Sequence, residues 1–423
     1  MEKTFEEKTF GKAALKLIPF LFLLYVIAYI DRINVGFAAL GMNEDLKFSD
    51  AVYGLGAGIF FIGYFIFEIP SNLILAKVGA RMWIARIMVS WGIVACFMMF
   101  VHSPLSFYVL RFLLGVTEAG FFPGIILYLT YWFPEDQRAK TVSLFMTATA
   151  AAGIIAGPIS GKLLTLHGLH TLSGWQWLFL LEGLPAIILG VIVFFWLPDR
   201  PEKAKWLTKE EKKVIIDRIS LENQKKEIHN KASLVETLTS GKVWAMGLLY
   251  FTIMIGMYGV TMWLPLIIKS FSSMNDFQIG LSSAIPYIIA GAGMVLIGAH
   301  SDKYNERRRH IAFSVSIAAI GLVLSAYIHQ PVPALIALSA AALGIWSALG
   351  PFWGRATALM TGAAAAGGIA LINSLGNLGG FVGPFLVGVV KNRTGNFEDS
   401  LLLLSVILLF GAWLVMSIRF ENE

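Results

Sequence analysis

Twelve apolar runs, each about as long as a bilayer is thick, constrain what this chain can become. They lie at residues 15–41, 52–76, 83–102, 105–132, 141–164, 175–197, 243–268, 278–299, 311–328, 332–353, 358–390 and 401–419. A run of that length crosses the hydrocarbon layer as one helix, so the predicted fold is an all-α membrane protein with twelve transmembrane helices. Composition agrees: 57% of the 423 residues are hydrophobic and only 14% are charged, against about 25% charged in soluble domains. The lone Cys96 sits in an apolar run, which excludes a disulfide framework and a cysteine-based metal site. Leu17–Ile30 has the length of a secretion signal, but Asp31 and Arg32 follow it in place of small residues. It is therefore read as part of the first span.

The charges between the runs set the orientation. Lys3, Lys8, Lys12 and Lys16 precede the first span; Lys77, Arg81, Arg86, Arg138, Lys140, Lys303, Arg307, Arg308, Arg309, Arg355 and Arg419 flank later spans on the same side. The opposite side holds Lys47, Lys162, Lys269, Lys391 and Arg393. This positive-inside pattern predicts a multi-pass protein of the plasma (bacterial inner) membrane with both termini cytoplasmic. The net charge of +6 is thereby a topology signal for the lipid bilayer and not a nucleic-acid footprint.

One sizeable polar segment interrupts the spans. Leu197–Pro201 stops the sixth, and Lys203–Ile228 reads as a charged amphipathic helix with Trp206, Val214, Ile215, Ile219 and Leu221 as its apolar positions. On either side the chain repeats itself at an offset of 226 residues: Lys77 matches Lys303, Arg81 matches Arg307, Gly153 matches Gly379, and Gly157-Pro158 matches Gly383-Pro384. The predicted organisation is an N-terminal six-helix bundle at 1–197, a cytoplasmic connector at 198–242 and a C-terminal six-helix bundle at 243–423. Two bundles related by a pseudo-two-fold axis along the membrane normal, with substrate between them, describe one class of secondary transporter.

The fourth span, Leu105–Phe133, carries Arg111 and Glu118 in its middle. A charge at mid-membrane costs at least about 2.5–3.5 kcal/mol, so it needs a partner, a wet cavity or a substrate. Seven residues separate the two, which places them on one helical face about 10 Å apart. Asp31 and Arg32, Glu68 and Glu182 add ionisable groups to the first, second and sixth spans. Every one of these ions falls in the first half.

These stretches resemble the major facilitator superfamily. Gly298–Arg308 is close to its G-x-x-x-D-R-x-x-x-R-R loop, and Asn72–Arg81 is a degraded first copy in which Asn72 and Ala76 replace the usual Gly and Asp. The resemblance makes Asp302, Lys303, Arg307 and Arg81 gating-loop residues. Tyr29–Asn34, Phe67–Asn72, Arg111–Gly124, Phe179–Gly183, Pro198–Leu207, Gly350–Trp353 and Ile372–Gly380 are similar to the anion:cation symporter family. Its members carry tartrate, sugar acids, phthalate and related organic anions. Gly354–Thr357 departs from the uncharged, Pro-containing stretch usual there.

Arg111 is open to two readings: a structural counter-ion of Glu118 or Asp31, or a bidentate anchor for a substrate carboxylate. Glu118 and Asp31 are the expected proton carriers, because a carboxyl that loses its arginine in an apolar setting takes up a proton and releases it when the arginine returns. The resemblance assigns both that task and gives Arg32 and Tyr29 substrate contacts; Arg32 is equally open to a structural role. Tyr64 offers a hydroxyl or plain packing. Glu68 reads as structural, as does Glu182, expected near the start of its helix, where the dipole favours a carboxylate. In the second half Trp353, Asn373, Ser374 and Asn377 are candidate substrate contacts, with Asn373 and Asn377 four residues apart on one face. The alternative is helix–helix packing glue beside Gly376, Gly379 and Gly380. Arg355 favours a dicarboxylate if it reaches the cavity, and Gly157–Gly161 resembles an exchanger pattern that a flexible packing helix explains as well.

The function expected is proton-coupled import of a small organic anion, a hydroxy-carboxylate or sugar acid, by alternating access in a monomer. An organic-anion exchanger or exporter of the same fold is the nearest rival, and a non-transporting receptor a more distant one. The sequence holds no phosphate-binding glycine loop with its lysine, no nucleophile constellation and no metal cluster, so neither an enzyme nor a cofactor is expected.

Overall fold

A computed structural model describes residues 4–134, 137, 141, 145–229, 239–358 and 362–418. Lys3, Arg138, Lys140 and Arg419 of the predicted basic side, and parts of the fifth and eleventh spans and the connector, lie outside these residues. Every element of regular structure among the described residues is a helix. Its first half contains α1 (Phe5–Asp45), α2 (Asp50–Val78), α3 (Ala80–Phe97), α4 (Pro104–Glu118), α5 (Phe121–Thr130), α6 (Ala148–Leu164) and α7 (Gly174–Trp196). The connector holds α8 (Lys209–His229). The second half contains α9 (Gly241–Thr261), α10 (Leu264–Ser270), α11 (Asp276–Tyr304), α12 (Arg308–Tyr327), α13 (Pro331–Ala358), α14 (Gly362–Thr394) and α15 (Glu398–Ser417). Among the described residues eleven helices are long and apolar enough to cross a membrane, and Ala148–Leu164 is a shorter apolar helix beside them.

Two predicted spans are broken. The fourth turns between α4 and α5 at Gly120, whose φ of +86° is left-handed and open chiefly to glycine. A Cβ there would also stand 2.3 Å from Ser71 Oγ. The seventh stops at Thr261 and resumes as α10, with Pro265 in its first turn, a position where the missing N–H does no harm. The connector helix starts later than its pattern suggests. Pro201–Lys203 form a 3-10 turn, and Thr208 then caps the helix: Glu211 N donates to Thr208 Oγ1 at 3.2 Å, and Thr208 N donates to Glu211 Oε2 at 2.8 Å. This helix docks on the start of α1 through Lys12–Glu211 at 2.8 Å and Arg218–Glu6 at 3.5 Å. Ile215 is buried beneath it, and Trp206 stacks on Trp132 with centroids 5.6 Å apart.

The halves meet along two helix pairs, α2 with α14 and α6 with α11. Glycines let the backbones touch. A Cβ at Gly54 would stand 2.7 Å from Pro384 O, and one at Gly280 would stand 2.3 Å from Gly157 O. Gly54 and Gly280 are 226 residues apart, as are Gly157 and Gly383, so the two seams are images of each other. The repeat read from a few loop and glycine positions is thus a property of the packing.

Candidate functional site

Six charged side chains are buried among the described residues: Asp31, Arg32, Glu68, Arg111, Glu118 and Glu182. Arg32 of α1 is the centre. Its Nη2 donates to Glu118 Oε1 of α4 in a buried ion pair, and its Nη1 donates to Tyr258 Oη of α9 at 3.2 Å. The guanidinium carbon lies 5.4 Å from the Phe60 and Tyr64 ring centroids, a cation–π distance. Tyr258 in turn packs on Phe61 with centroids 4.3 Å apart.

Arg32 and Tyr258 are separated by 226 residues, the repeat offset. Two equivalent positions that touch each other must stand beside the axis relating the halves. Gly36 and Met262 share that offset, and a Cβ on Gly36 would lie 2.8 Å from Met262 O. The ion pair therefore sits on the pseudo-two-fold axis. Glu118 is the last residue of α4, where the helix dipole disfavours a carboxylate; Arg32 provides the compensating charge. Tyr258 was not singled out in the sequence, although its offset from Arg32 marks it.

Arg111 shares the buried face of α4 with Glu118 but has other partners. Its Nε donates to Gly56 O at 3.2 Å and its Nη2 to Ala57 O at 3.0 Å, both on α2, and its guanidinium lies 5.1 Å from the Phe60 centroid. Asp31, next to Arg32 in sequence, turns to α3 and accepts from Trp91 Nε1 at 2.7 Å. Glu182 accepts from Ser160 Oγ of α6 at 2.7 Å. It stands two turns inside a helix that begins at Gly174, so the helix-dipole explanation for it does not hold. Tyr29 is buried, and among the described residues its hydroxyl has no hydrogen-bond partner.

Glu68 connects the halves. Asn373 Nδ2 donates to its Oε1 at 2.8 Å and Asn377 Nδ2 to its Oε2 at 3.0 Å. The two amides share a face of α14 as their spacing predicts, and one carboxylate spans them. Ser374, the residue after Asn373, is half-buried. Trp353 packs on Tyr250, centroids 5.1 Å apart, and on Phe352.

The loop residues form a matched pair of latches. In the second half Asp302 pairs with Arg307 at 2.6 Å, and a Cβ on Gly354 of α13 would touch that guanidinium at 2.9 Å. Lys303 lies over the Tyr304 ring at 5.5 Å. In the first half Ala76 occupies the position equivalent to Asp302, and Asp199, from beyond the sixth span, stands in for it. Its Oδ1 accepts from Arg81 N at 2.9 Å, and its Oδ2 lies 4.0 Å from Arg81 Nε. A surface recess of about 500 Å³ lined by Glu7, Lys8 and Lys12 lies on the first turns of α1, away from the buried ions. Among the described residues no group of three or more His, Cys, Asp or Glu is placed to hold a metal.

Comparison with known proteins agrees with this arrangement. The Major Facilitator Superfamily profile matches residues 21–384 and 246–423. A protein of Agrobacterium vitis named "Putative tartrate transporter" is 49% identical over 414 residues, covering 97% of this chain and 95% of its own. The "Quinolone resistance transporter" of Acinetobacter baumannii is 45% identical, covering 96% of this chain and 94% of its own. Among solved structures, a bacterial homologue of the human lysosomal transporter Spinster superposes with a TM-score of 0.78 at 17% identity, covering 95% of each chain. Twelve spans in two like halves, a buried ion pair on the axis between them, and a family match over most of the length lead to one conclusion: this chain belongs to the Major Facilitator Superfamily, and is a membrane transporter and not an enzyme.

Proposed function

We propose that the protein imports a small organic anion, a hydroxy-carboxylate or sugar acid, together with protons. The observation that carries this reading is the Arg32–Glu118 pair on the axis, contacted from the other half by Tyr258. A substrate carboxylate arriving between the halves takes the guanidinium from Glu118. Glu118, then an uncompensated carboxylate at a helix C-terminus, takes up a proton. Net buried charge stays low through the exchange, so the loaded protein closes around its cargo and opens to the other side. The tartrate naming of the Agrobacterium relative points to the same substrate class.

The anchoring role that the sequence suggests for Arg111 passes to Arg32 in this reading, with Arg111 holding α4 against α2 and adding its positive field. Asp31 is the second proton carrier. Tyr29, Tyr64, Trp353, Ser374, Asn373 and Asn377 complete the substrate site, and the Asp302–Arg307 and Arg81–Asp199 latches gate it. The bundles run over 1–197 and 243–423 with the connector at 198–242, and the basic ends and both termini face the cytoplasm of a bacterial cell. The quinolone-resistance naming of the Acinetobacter relative favours a second reading, efflux by the same fold.

Purified protein in vesicles decides between them through uptake of labelled tartrate under imposed pH gradients. Symport accumulates tartrate when the outside is acidic, whereas proton-driven efflux expels it under the same gradient. Glu118→Gln should abolish gradient-driven accumulation while leaving counterflow. Unchanged concentrative uptake in that variant removes Glu118 from coupling.

A further inference from the structure

The α2–α14 seam is closed at both ends by polar contacts. Asp50 and Lys391 pair at 2.7 Å at one end, and Glu68 meets Asn373 and Asn377 at the other. From Asp50 to Glu68, and from Lys391 back to Asn373, the helices run about 27 Å, close to the thickness of the hydrocarbon layer. The second closure has a chemical peculiarity. Its two amide donors lie one turn apart on one face, and a single carboxylate accepts from both with its two oxygens. That is how a free carboxylate would dock on the second half, and the chain supplies one of its own.

We propose that Asn373 and Asn377 form a carboxylate subsite which Glu68 fills whenever the seam is shut, so that Glu68 and a substrate carboxylate alternate on the same two amides. Glu68 is thus a tethered competitor as well as a latch. The arrangement sits next to the axis: Tyr64 is one turn before Glu68 on α2, and its ring lies 5.4 Å from the Arg32 guanidinium carbon. A carboxylic acid with a second polar group can span from Arg32 to the amide pair once Glu68 lets go. Neutral donors suit this task, because they release an anion more easily than a buried cation would. The inference rests on alternating access and on the organic-anion reading above.

The test places a reporter beside the amides, Ser374→Cys in a Cys96→Ala background, and measures its alkylation by a hydrophilic maleimide. Glu68→Gln keeps the size of the side chain but leaves one uncharged acceptor oxygen for the two amide donors. It should speed alkylation several-fold while the protein keeps a single cooperative melting transition. Adding Asn377→Ala should then add little, since the same contact is already lost. With tartrate as the probe, protection in Glu68→Gln should need about tenfold less ligand if the latched form holds about nine-tenths of the parent. Equal or slower alkylation in Glu68→Gln overturns the latch. Faster alkylation with poorer tartrate protection makes Glu68 a packing residue and overturns the competition. If alkylation accelerates non-additively while tartrate protects neither form, the latch stands and the hydroxy-acid substrate falls.

Discussion

Removing one side of the Arg32–Glu118 pair should strand the other in a dry site. Glu118 is fully buried and Arg32 is 7% exposed, so water cannot replace a lost partner. Glu118→Gln leaves the guanidinium without its counter-ion, and breaking a buried pair from one side costs about 3–5 kcal/mol. Arg32→Met strands the carboxylate at the end of α4 and should cost about as much at neutral pH. The two variants differ in one respect. A stranded carboxyl can discharge itself by taking a proton, whereas a guanidinium cannot lose one in a protein. The cost of Arg32→Met should therefore shrink as the medium is acidified, while that of Glu118→Gln should stay flat. The double variant buries no charge at this spot, so it should be no worse than either single change, which amounts to a coupling of about 3 kcal/mol or more. Reversible unfolding in mixed micelles of dodecyl maltoside and SDS at several pH values measures all four corners. Additive costs within about 0.5 kcal/mol, or equal pH dependence of the two single variants, would refute the argument that these ions depend on each other.

Three further outcomes are expected. Tyr258→Phe removes an acceptor from a buried guanidinium and should cost about 1.5–3 kcal/mol in the same assay, with roughly tenfold weaker substrate affinity; wild-type uptake kinetics would take Tyr258 out of the site. Gly280→Ala puts a methyl 2.3 Å from Gly157 O and 2.9 Å from Gly161 Cα, so the shut seam should lose about 1–3 kcal/mol. Spin-label distances between α6 and α11 should lengthen, and an unchanged distance would show that the seam yields without opening. Asp199→Asn should weaken the first-half latch by about 1 kcal/mol or less, given that the Arg81 side chain is 41% exposed. Adding Ala76→Asp should restore stability, because it recreates the Asp302–Arg307 geometry, and failure of that rescue would sink the equivalence of the two loops.

Much of the architecture was legible because the bilayer leaves few options. Twelve spans, the two-fold repeat and the amphipathic connector can all be read from hydropathy and an offset of 226. The breaks at Gly120 and Thr261 were not legible, since apolar composition does not reveal where a helix turns inside the membrane. The buried ions could be named but not paired. Arg111 and Glu118 share a face, and sequence reasoning linked them, yet each finds its partner on a different helix: α2 carbonyls for one and Arg32 for the other. Glu68 and the two asparagines were each visible separately; their meeting depends on how α2 and α14 pack across the seam, which no local pattern encodes. Tyr258 was recoverable, because adding the repeat offset to Arg32 lands on it.

The distribution of bond types explains how such a site can lie between two moving bodies. The buried ion pair, Arg32–Glu118, joins helices of the same half, and the buried carboxylates of Asp31 and Glu182 find neutral partners there in Trp91 and Ser160. What crosses the boundary is of a different kind. Tyr258 contributes one hydroxyl, Asn373 and Asn377 contribute amides, and Tyr53 donates to Met262 O at 2.6 Å. The cross-half pair Asp50–Lys391 is an ion pair, but its side chains are 27% and 20% exposed, so water can take over both charges when they part. Breaking a buried ion pair costs about 3–5 kcal/mol, whereas a hydrogen bond between a neutral and a charged group contributes about 1.5–3 kcal/mol. A scaffold with equal charges on both sides would need to break ion pairs each time it opened. Gathering the buried ions in one half and facing them with neutral polar groups keeps the charges together as a rigid unit, and leaves between them and the second half hydrogen bonds that a passing carboxylate can replace one at a time.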